Sequence, residues 1–193
     1  MSGKSLSRSD ATKKRLFFRS LLEPLDMKNS TFAQPSPEVL RSQSALGAAG
    51  NSSERWRVHP EMAAAGLWTT ASDLALFAIE LQLSRIGKSN RVLSPSMTRL
   101  MLTRRCAVPP VGSTLSLKNS FGLGIFLGGK GSSKRFSHTG GNFGFVSHMF
   151  GTFDGRGAVV LAKTEELAFV GEILGAIARE FNWIDYNPPT FDT

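Results

Sequence analysis

The sequence predicts an α+β fold, an antiparallel sheet of three to four strands flanked by helices. Three observations predict it. Apolar residues recur at three- and four-residue spacing over 10–23 and again over 70–81. Between 121 and 162 the pattern changes to short apolar or alternating runs with glycine-rich turns between them. A last amphipathic stretch follows. Helices, then strands, then a helix is the α+β order.

The first helix places Leu16 and Phe17, Leu21 and Leu22, and Leu25 on one side, and Pro24 ends it at or before Glu23. Residues 33–60 are rich in Pro, Ser, Gly, Ala and Asn, which is loop composition. A loop of that length is usually functional or partly disordered. Thr70 is a good N-cap with Asp73 three positions on, an approximate capping box. Leu74, Phe77, Ala78 and Leu81 then fall on one face. Ser94-Pro95 starts a short helix, a cap followed by proline at the first helical position. The runs 121–127, 134–139, 143–150 and 157–162 read as strands. Their turns are Gly128-Gly129-Lys130-Gly131, Gly140-Gly141-Asn142 and Asp154-Gly155-Arg156-Gly157. The last helix carries Leu167, Val170, Leu174, Ile177 and Phe181 on one stripe, with Glu166, Glu172, Arg179 and Glu180 opposite. These elements predict a helical, loop-rich part at 1–110 and a meander plus helix at 111–193, both of one domain.

With 193 residues, 41% hydrophobic and 20% charged, the chain has enough apolar content for a packed core. A single cysteine, Cys106, excludes an internal disulfide and a cysteine-rich zinc site. The apolar runs are too short to span a bilayer. The polar, basic start lacks the apolar stretch of a secretory signal, so a cytoplasmic location is expected. Without such a signal, the N-glycosylation patterns at Asn29 and Asn51 read as chance. The net charge is +8, concentrated before residue 136. Lys13-Lys14-Arg15 followed by Phe17 and Phe18 is the nearest thing to a nucleic-acid element. No helix-turn-helix, RNP or zinc-finger pattern accompanies it, so a solvated helix face with Phe17 turned inward is expected and no nucleic-acid partner.

The segment 124–131 (GIFLGGKG) nearly spells a phosphate-binding loop, but Gly131 stands where the Mg²⁺-holding hydroxyl belongs and a strand-like run follows. Gly122-x-Gly124 is an equally weak dinucleotide fingerprint. His59, His138 and His148 have neither the spacing nor the carboxylate neighbours of a metal site, so no metal and no cofactor are expected. His59 reads as a surface side chain, and His148 as a strand residue that is exposed or hydrogen-bonded. On composition alone, 138–145 (HTGGNFGF) is a strand ending in a tight glycine turn.

The order of segments adds more. Residues 21–35 (LLEPLDMKNSTFAQP), 61–77 (EMAAAGLWTTASDLALF) and 138–144 (HTGGNFG) occur in that order. The chain resembles the C-terminal part of the serine β-lactamase/penicillin-binding-protein-like hydrolases, notably class C β-lactamases and related esterases and D-aminopeptidases. The resemblance runs almost end to end and implies an incomplete β-lactamase/transpeptidase-like fold. It implies that 138–141 is the family's third motif, on a strand lining the active site. His138 would stand in for the motif's lysine, Thr139 would donate a hydroxyl, and the glycine would admit substrate close to the backbone. The Gly141 N–H would then be an oxyanion donor beside Gly140. Two departures stand out: Asp26 replaces the glycine of the family's Pro-Leu-Gly-Met turn, and Ala162-Lys163 stands where Thr-Asn is usual.

The family's nucleophile is the serine of Ser-x-x-Lys. No lysine of this sequence has serine three positions before it, and no asparagine has Tyr or Ser two positions before it. Both of the other catalytic motifs are therefore absent from the sequence. The expectation is a C-terminal portion of a hydrolase, whether a truncated gene product, a misassigned start or one half of a split protein, inactive alone. Such a piece is expected to leave a sheet edge and an apolar face open. Completed, it would take a small acyl, peptide or β-lactam substrate. The alternatives are a non-catalytic binding module that keeps the His-Thr-Gly strand, and a basic protein that binds nucleic acid or anionic membrane.

Overall fold

The structure, a computed structural model, describes residues 12, 15–47, 58–107, 120–183 and 186. Lys13-Lys14, the 48–57 part of the predicted loop with Asn51, and the 110–111 division lie outside the described residues. A helical stretch from residue 15 ends in a π-helical turn, Phe18–Leu22. Phe17 packs on Phe32 with ring centroids 4.7 Å apart, the inward position expected of it, while Phe18 is exposed. Two four-residue helices follow, α1 (Glu38–Arg41) and α2 (Met62–Ala65), so the loop-like stretch holds one helical turn. Helix α3 (Ala71–Arg85) begins where its cap predicts, with the Asp73 N–H donating to the Thr70 hydroxyl at 3.1 Å. Helix α4 (Pro95–Met101) is capped by Ser94, whose hydroxyl accepts from the Met97 N–H at 3.2 Å. Helix α5 (Leu167–Glu180) closes the described fold.

Among the described residues the sheet is one antiparallel meander of six strands in sequence order. They are β1 (Cys106–Ala107), β2 (Ser120–Phe121), β3 (Phe126–Gly128), β4 (Arg135–Asn142), β5 (Phe145–Thr152) and β6 (Gly157–Ala162). The sequence runs predict three to four strands. The difference lies in β1 and β2, whose two residues each are too short for a period-2 pattern to register. The run 121–127 also divides between β2 and β3.

Side chains alternate across the sheet. One face carries Leu127, Phe136, Met149 and Val159 and packs under α3 and α4 with Ala78, Leu81 and Leu102. The other carries Val146, Phe150 and Val160 and packs against Val170, Leu174 and Ala178 of α5. Phe136 and Phe150 are fully buried on opposite faces. Phe181, expected on the buried stripe of α5, is instead an exposed C-cap, because the helix ends one residue before it. A third cluster, Leu22, Leu25, Met27, Phe32 and Met62, joins the N-terminal turn to α2.

Candidate active site

Strand β4 runs through both glycines that composition assigns to a turn. The turn lies one step later, at Phe143-Gly144, where Gly144 takes the left-handed φ of +76°. Cross-strand pairs hold Gly140 opposite Ser147 and Gly141 opposite Val146, which keeps both glycines in the ladder.

This register determines where the backbone points. A two-residue turn is closed by a hydrogen-bonded pair, here Asn142 and Phe145. Such pairs alternate along an antiparallel ladder, so Gly140 and His138 face β5 with their N–H and C=O groups. Thr139 and Gly141 aim theirs the other way. Strand β3 pairs with β4 no further than Ser137, opposite Phe126. Beyond it, no strand among the described residues pairs with 138–142 on that edge. The Gly141 N–H therefore faces an edge that no described strand covers. A Cβ at Gly141 would meet nothing within 4 Å among the described residues, whereas one at Gly140 would lie 2.6 Å from the Ser147 Oγ. Ser147 leans into the space that a side chain at 140 would fill, and its hydroxyl donates to the Gly140 carbonyl at 3.3 Å.

His138 and Thr139 part company across the sheet. Alternation places His138 on the α3 side, where it is exposed, with its ring 5.9 Å from that of Phe126. Thr139 lies on the α5 side, directly opposite His148, and its Oγ1 is 2.9 Å from the His148 Nδ1. Side chains approach closely in such non-hydrogen-bonded pairs. His148 is buried beside Phe150. Burial first, then the charges of Arg135 and His138, lowers its pKa from 6.5 to about 4. The imidazole is neutral near pH 7. Of the two readings open for His148, exposed or hydrogen-bonded, the structure gives the second.

The other two segments that carry the resemblance converge on the same end of β4. Thr31 and Trp68 exchange backbone hydrogen bonds of 2.8 and 2.9 Å. The Ser30 hydroxyl donates to the Asp73 carboxylate at 2.7 Å, and the Asn29 N–H donates to the same oxygen at 2.8 Å. From there the Ala65 carbonyl accepts from the Asn142 Nδ2 at 3.2 Å, and Trp68 meets Phe145 edge-on at 6.2 Å. Gly66 is packed against Gln34 and the Met62 carbonyl so closely that a Cβ would collide with both. The Gln34 Oε1 in turn accepts from the His59 N–H. His59 is half-buried rather than a plain surface side chain.

No group of three or more His, Cys, Asp or Glu side chains among the described residues is placed to hold a metal ion. No helix among them is long and apolar enough to cross a membrane. The stretch 124–131 forms β3 and a 3₁₀ turn (Gly131–Ser133), not the strand-to-helix turn of a phosphate-binding loop. Ser147, His148 and Asn142 are the site residues that motif reading misses. Their one sequence signal is register: counting outward from the Phe143-Gly144 turn pairs 142 with 145, 140 with 147 and 139 with 148.

A family model described as Beta-lactamase matches residues 8–176. Among solved structures, the chain is similar to the octameric penicillin-binding protein homologue from Pyrococcus abyssi, at 19% identity and TM-score 0.65. That match covers 90% of this chain and 39% of the other. It is also similar to the D-amino acid amidase from Ochrobactrum anthropi SV3 complexed with L-phenylalanine amide, at 22% identity and TM-score 0.61, covering 89% and 51%. A class C beta-lactamase mutant matches at 16% identity and TM-score 0.61, covering 79% and 47%. No curated protein matches. The chain thus spans between 39% and 51% of the length of these three structures. At such identities the likeness concerns the fold, which is the α+β, β-lactamase/transpeptidase-like arrangement of an antiparallel sheet between helices. The family model, matching most of the sequence, goes further: this chain belongs to the Beta-lactamase family.

Proposed function

We propose that this chain carries the oxyanion-hole side of a serine-hydrolase site and does not turn over substrate by itself. The observation that carries the reading is the open edge of β4, where the Gly141 N–H points outward with no side chain before it. A backbone donor so placed stabilises the oxygen charge that develops in acyl transfer. His138 stands in for the family's lysine, polarising the ligand or meeting its carboxylate. Thr139 and Gly140 complete the third motif, Gly140 by letting the strand lie close against Ser147.

The sequence contains no Ser-x-x-Lys and no Tyr-x-Asn. Without an activated serine there is no covalent route, and a lone oxyanion donor retains only a small part of the acceleration. Where a second polypeptide segment supplies the serine and a base, the base takes the hydroxyl proton as the oxygen attacks the acyl carbonyl. The carbonyl oxygen, now negative, accepts from the Gly141 N–H, and collapse breaks the bond to the leaving group, which takes up the proton from that base. The substrate class is a β-lactam, a D-amino-acid amide or peptide, or a short ester. Names among the similar structures, a D-amino acid amidase and a class C beta-lactamase, support that range.

A second reading, a ligand-binding module, is favoured by three buried apolar clusters among the described residues. Both readings place the ligand at His138 and Gly141. Purified chain is expected to leave p-nitrophenyl acetate intact while binding benzylpenicillin or D-phenylalanine amide saturably. His138→Ala should weaken that binding about tenfold, the scale of a lost hydrogen bond to a charged or polar ligand. Saturable binding indifferent to His138→Ala would overturn the site.

A further inference from the structure

At the end of β4 remote from Gly141, the α3 side of the sheet holds a cavity of about 430 Å³. Arg135 borders it, and Gly141 lies six residues further along the strand, about 20 Å away at the rise of a strand. The apolar wall is Leu102, Leu127 and Phe153, all from the cluster under α3 and α4. Arg104 and Lys134 supply the charge. Arg135 turns its guanidinium to the other face, 5.2 Å from the centre of the Tyr186 ring. No acidic side chain among the described residues lines the cavity.

Both cations are fixed at the backbone and unmatched at the side chain. The Leu123 N–H donates to the Met101 carbonyl at 3.0 Å and the Arg105 N–H to the Phe121 carbonyl at 2.7 Å. These bonds pin the end of α4, with Arg104, to the β2–β3 hairpin. The Phe153 N–H donates to the Lys134 carbonyl at 2.8 Å, so the aromatic wall and the lysine share one anchor. The Arg104 and Lys134 side chains are exposed and have no hydrogen-bond or ion-pair partner among the described residues. Asp154, next to Phe153, is already taken by Arg156 at 2.9 Å and by the Thr152 hydroxyl. Between Glu80 and Asp154 the sequence has ten Lys or Arg and no acidic residue. Arg85 adds charge behind the wall, its guanidinium 4.0 Å from the centre of the Phe153 ring. A concave surface of one sign concentrates anions.

We propose that this cavity is a second ligand site, separate from the Gly141 edge, and that it takes a phosphate monoester on an aryl or short acyl body. Two unmatched cations suit a doubly charged head better than a single carboxylate, and their hydrogen bonds to it are charge-assisted. The body lies on Leu102, Leu127 and Phe153, as in small-molecule sites that pair an apolar wall with a few polar groups. Side chains do the recognising, with no phosphate-binding loop involved.

1-Naphthyl phosphate, titrated into the full chain by equilibrium dialysis, tests this. It is expected to bind saturably, one per chain. It should bind about tenfold more tightly than inorganic phosphate, which lacks the body, and about tenfold more tightly than 1-naphthoate, which carries one charge. Arg104→Gln and Lys134→Gln change exposed side chains and should each weaken binding about tenfold. Lys88→Gln removes a cation outside the cavity and should leave binding unchanged. D-phenylalanine amide, a probe of the Gly141 edge, should not displace the phosphate. Equal weakening by Lys88→Gln would mean attraction to net charge alone and would overturn the site. Displacement by D-phenylalanine amide, equal affinity for the three anions, or no saturable binding would overturn it too.

Discussion

Ser30 and Asp73, 43 residues apart, meet in a buried hydrogen bond of 2.7 Å. The carboxylate also accepts the Asn29 N–H, while its own backbone N–H is taken by the Thr70 cap. The capping box that the sequence suggests is thus half made. Asp73 does not reach back to its own helix start but ties the 21–35 segment to α3. Asp73→Ala would leave the Asn29 amide without its acceptor and the Ser30 hydroxyl with the Thr69 hydroxyl alone, 2.7 Å away. We expect a loss of about 3 kcal/mol by chemical denaturation, and a smaller one for Asp73→Asn, which keeps an acceptor oxygen. A loss below about 1 kcal/mol would show that the two segments are joined by other means.

Asp26 sits at φ +59°, the left-handed region. The family's turn has glycine here, and the backbone conformation explains why. Aspartate tolerates this region better than most residues, at some cost. Its ion pair with Lys28 at 3.0 Å is solvent-exposed and offsets little. Asp26→Gly is expected to raise stability by about 0.5 kcal/mol, whereas Asp26→Val, β-branched, should lower it by more than 1 kcal/mol, roughly. Equal midpoints for all three would contradict the strain.

The depressed pKa of His148 has a signed consequence. The folded protein holds the ring neutral down to about pH 4, whereas the unfolded chain protonates near 6.5. Between those values the unfolded state binds more protons, so stability is fully present above 6.5 and falls as pH drops through the window. The loss is on the order of 3 kcal/mol. Denaturation midpoints measured from pH 7 to pH 4 should show that slope in the native chain and lose most of it in His148→Leu. A slope that persists in the variant would assign it to other groups.

Helix α3 carries apolar side chains on both sides, with Ala78 and Leu81 packed on the sheet. Its acidic residues Asp73 and Glu80 are buried, while Leu76, Ile79 and Leu83, with Ile86 at the C-cap, are exposed in a stripe. Glu80 is satisfied by the Ser89 hydroxyl at 2.6 Å and the Arg91 N–H at 2.9 Å. A stripe of this kind favours self-association. Ile79→Lys with Leu83→Gln should change stability by less than about 0.5 kcal/mol and lower the aggregated fraction in light scattering. A large drop in melting temperature would mean that these side chains are packed in solution.

Much of this fold was legible in the sequence, for reasons visible at particular residues. Thr70 and Ser94-Pro95 start helices because cap chemistry is local. The largely apolar run 143–150 marks β5 because both faces are buried, one under α3 and the other under α5. What escaped depended on partners distant in sequence. The two-residue strand β2 forms where β3 is there to pair with, and β1 forms on β2 in turn. Gly140 and Gly141 read as a turn because glycine is weak in strands, yet the ladder to β5 and the approach of Ser147 keep them extended. The segment 138–141 stands out in the sequence by its resemblance to the family's third motif. That His138 and Thr139 lie on opposite faces, and that His148 holds one of them, followed only from the register of β4 against β5.

This chain is proposed to offer an oxyanion donor and no nucleophile. Intact-mass measurement of the purified chain after incubation with benzylpenicillin tests it most directly. The account predicts an unchanged mass, with penicillin recovered intact. A stoichiometric acyl adduct, or hydrolysis at several turnovers per second, would place a working nucleophile in this chain and contradict it.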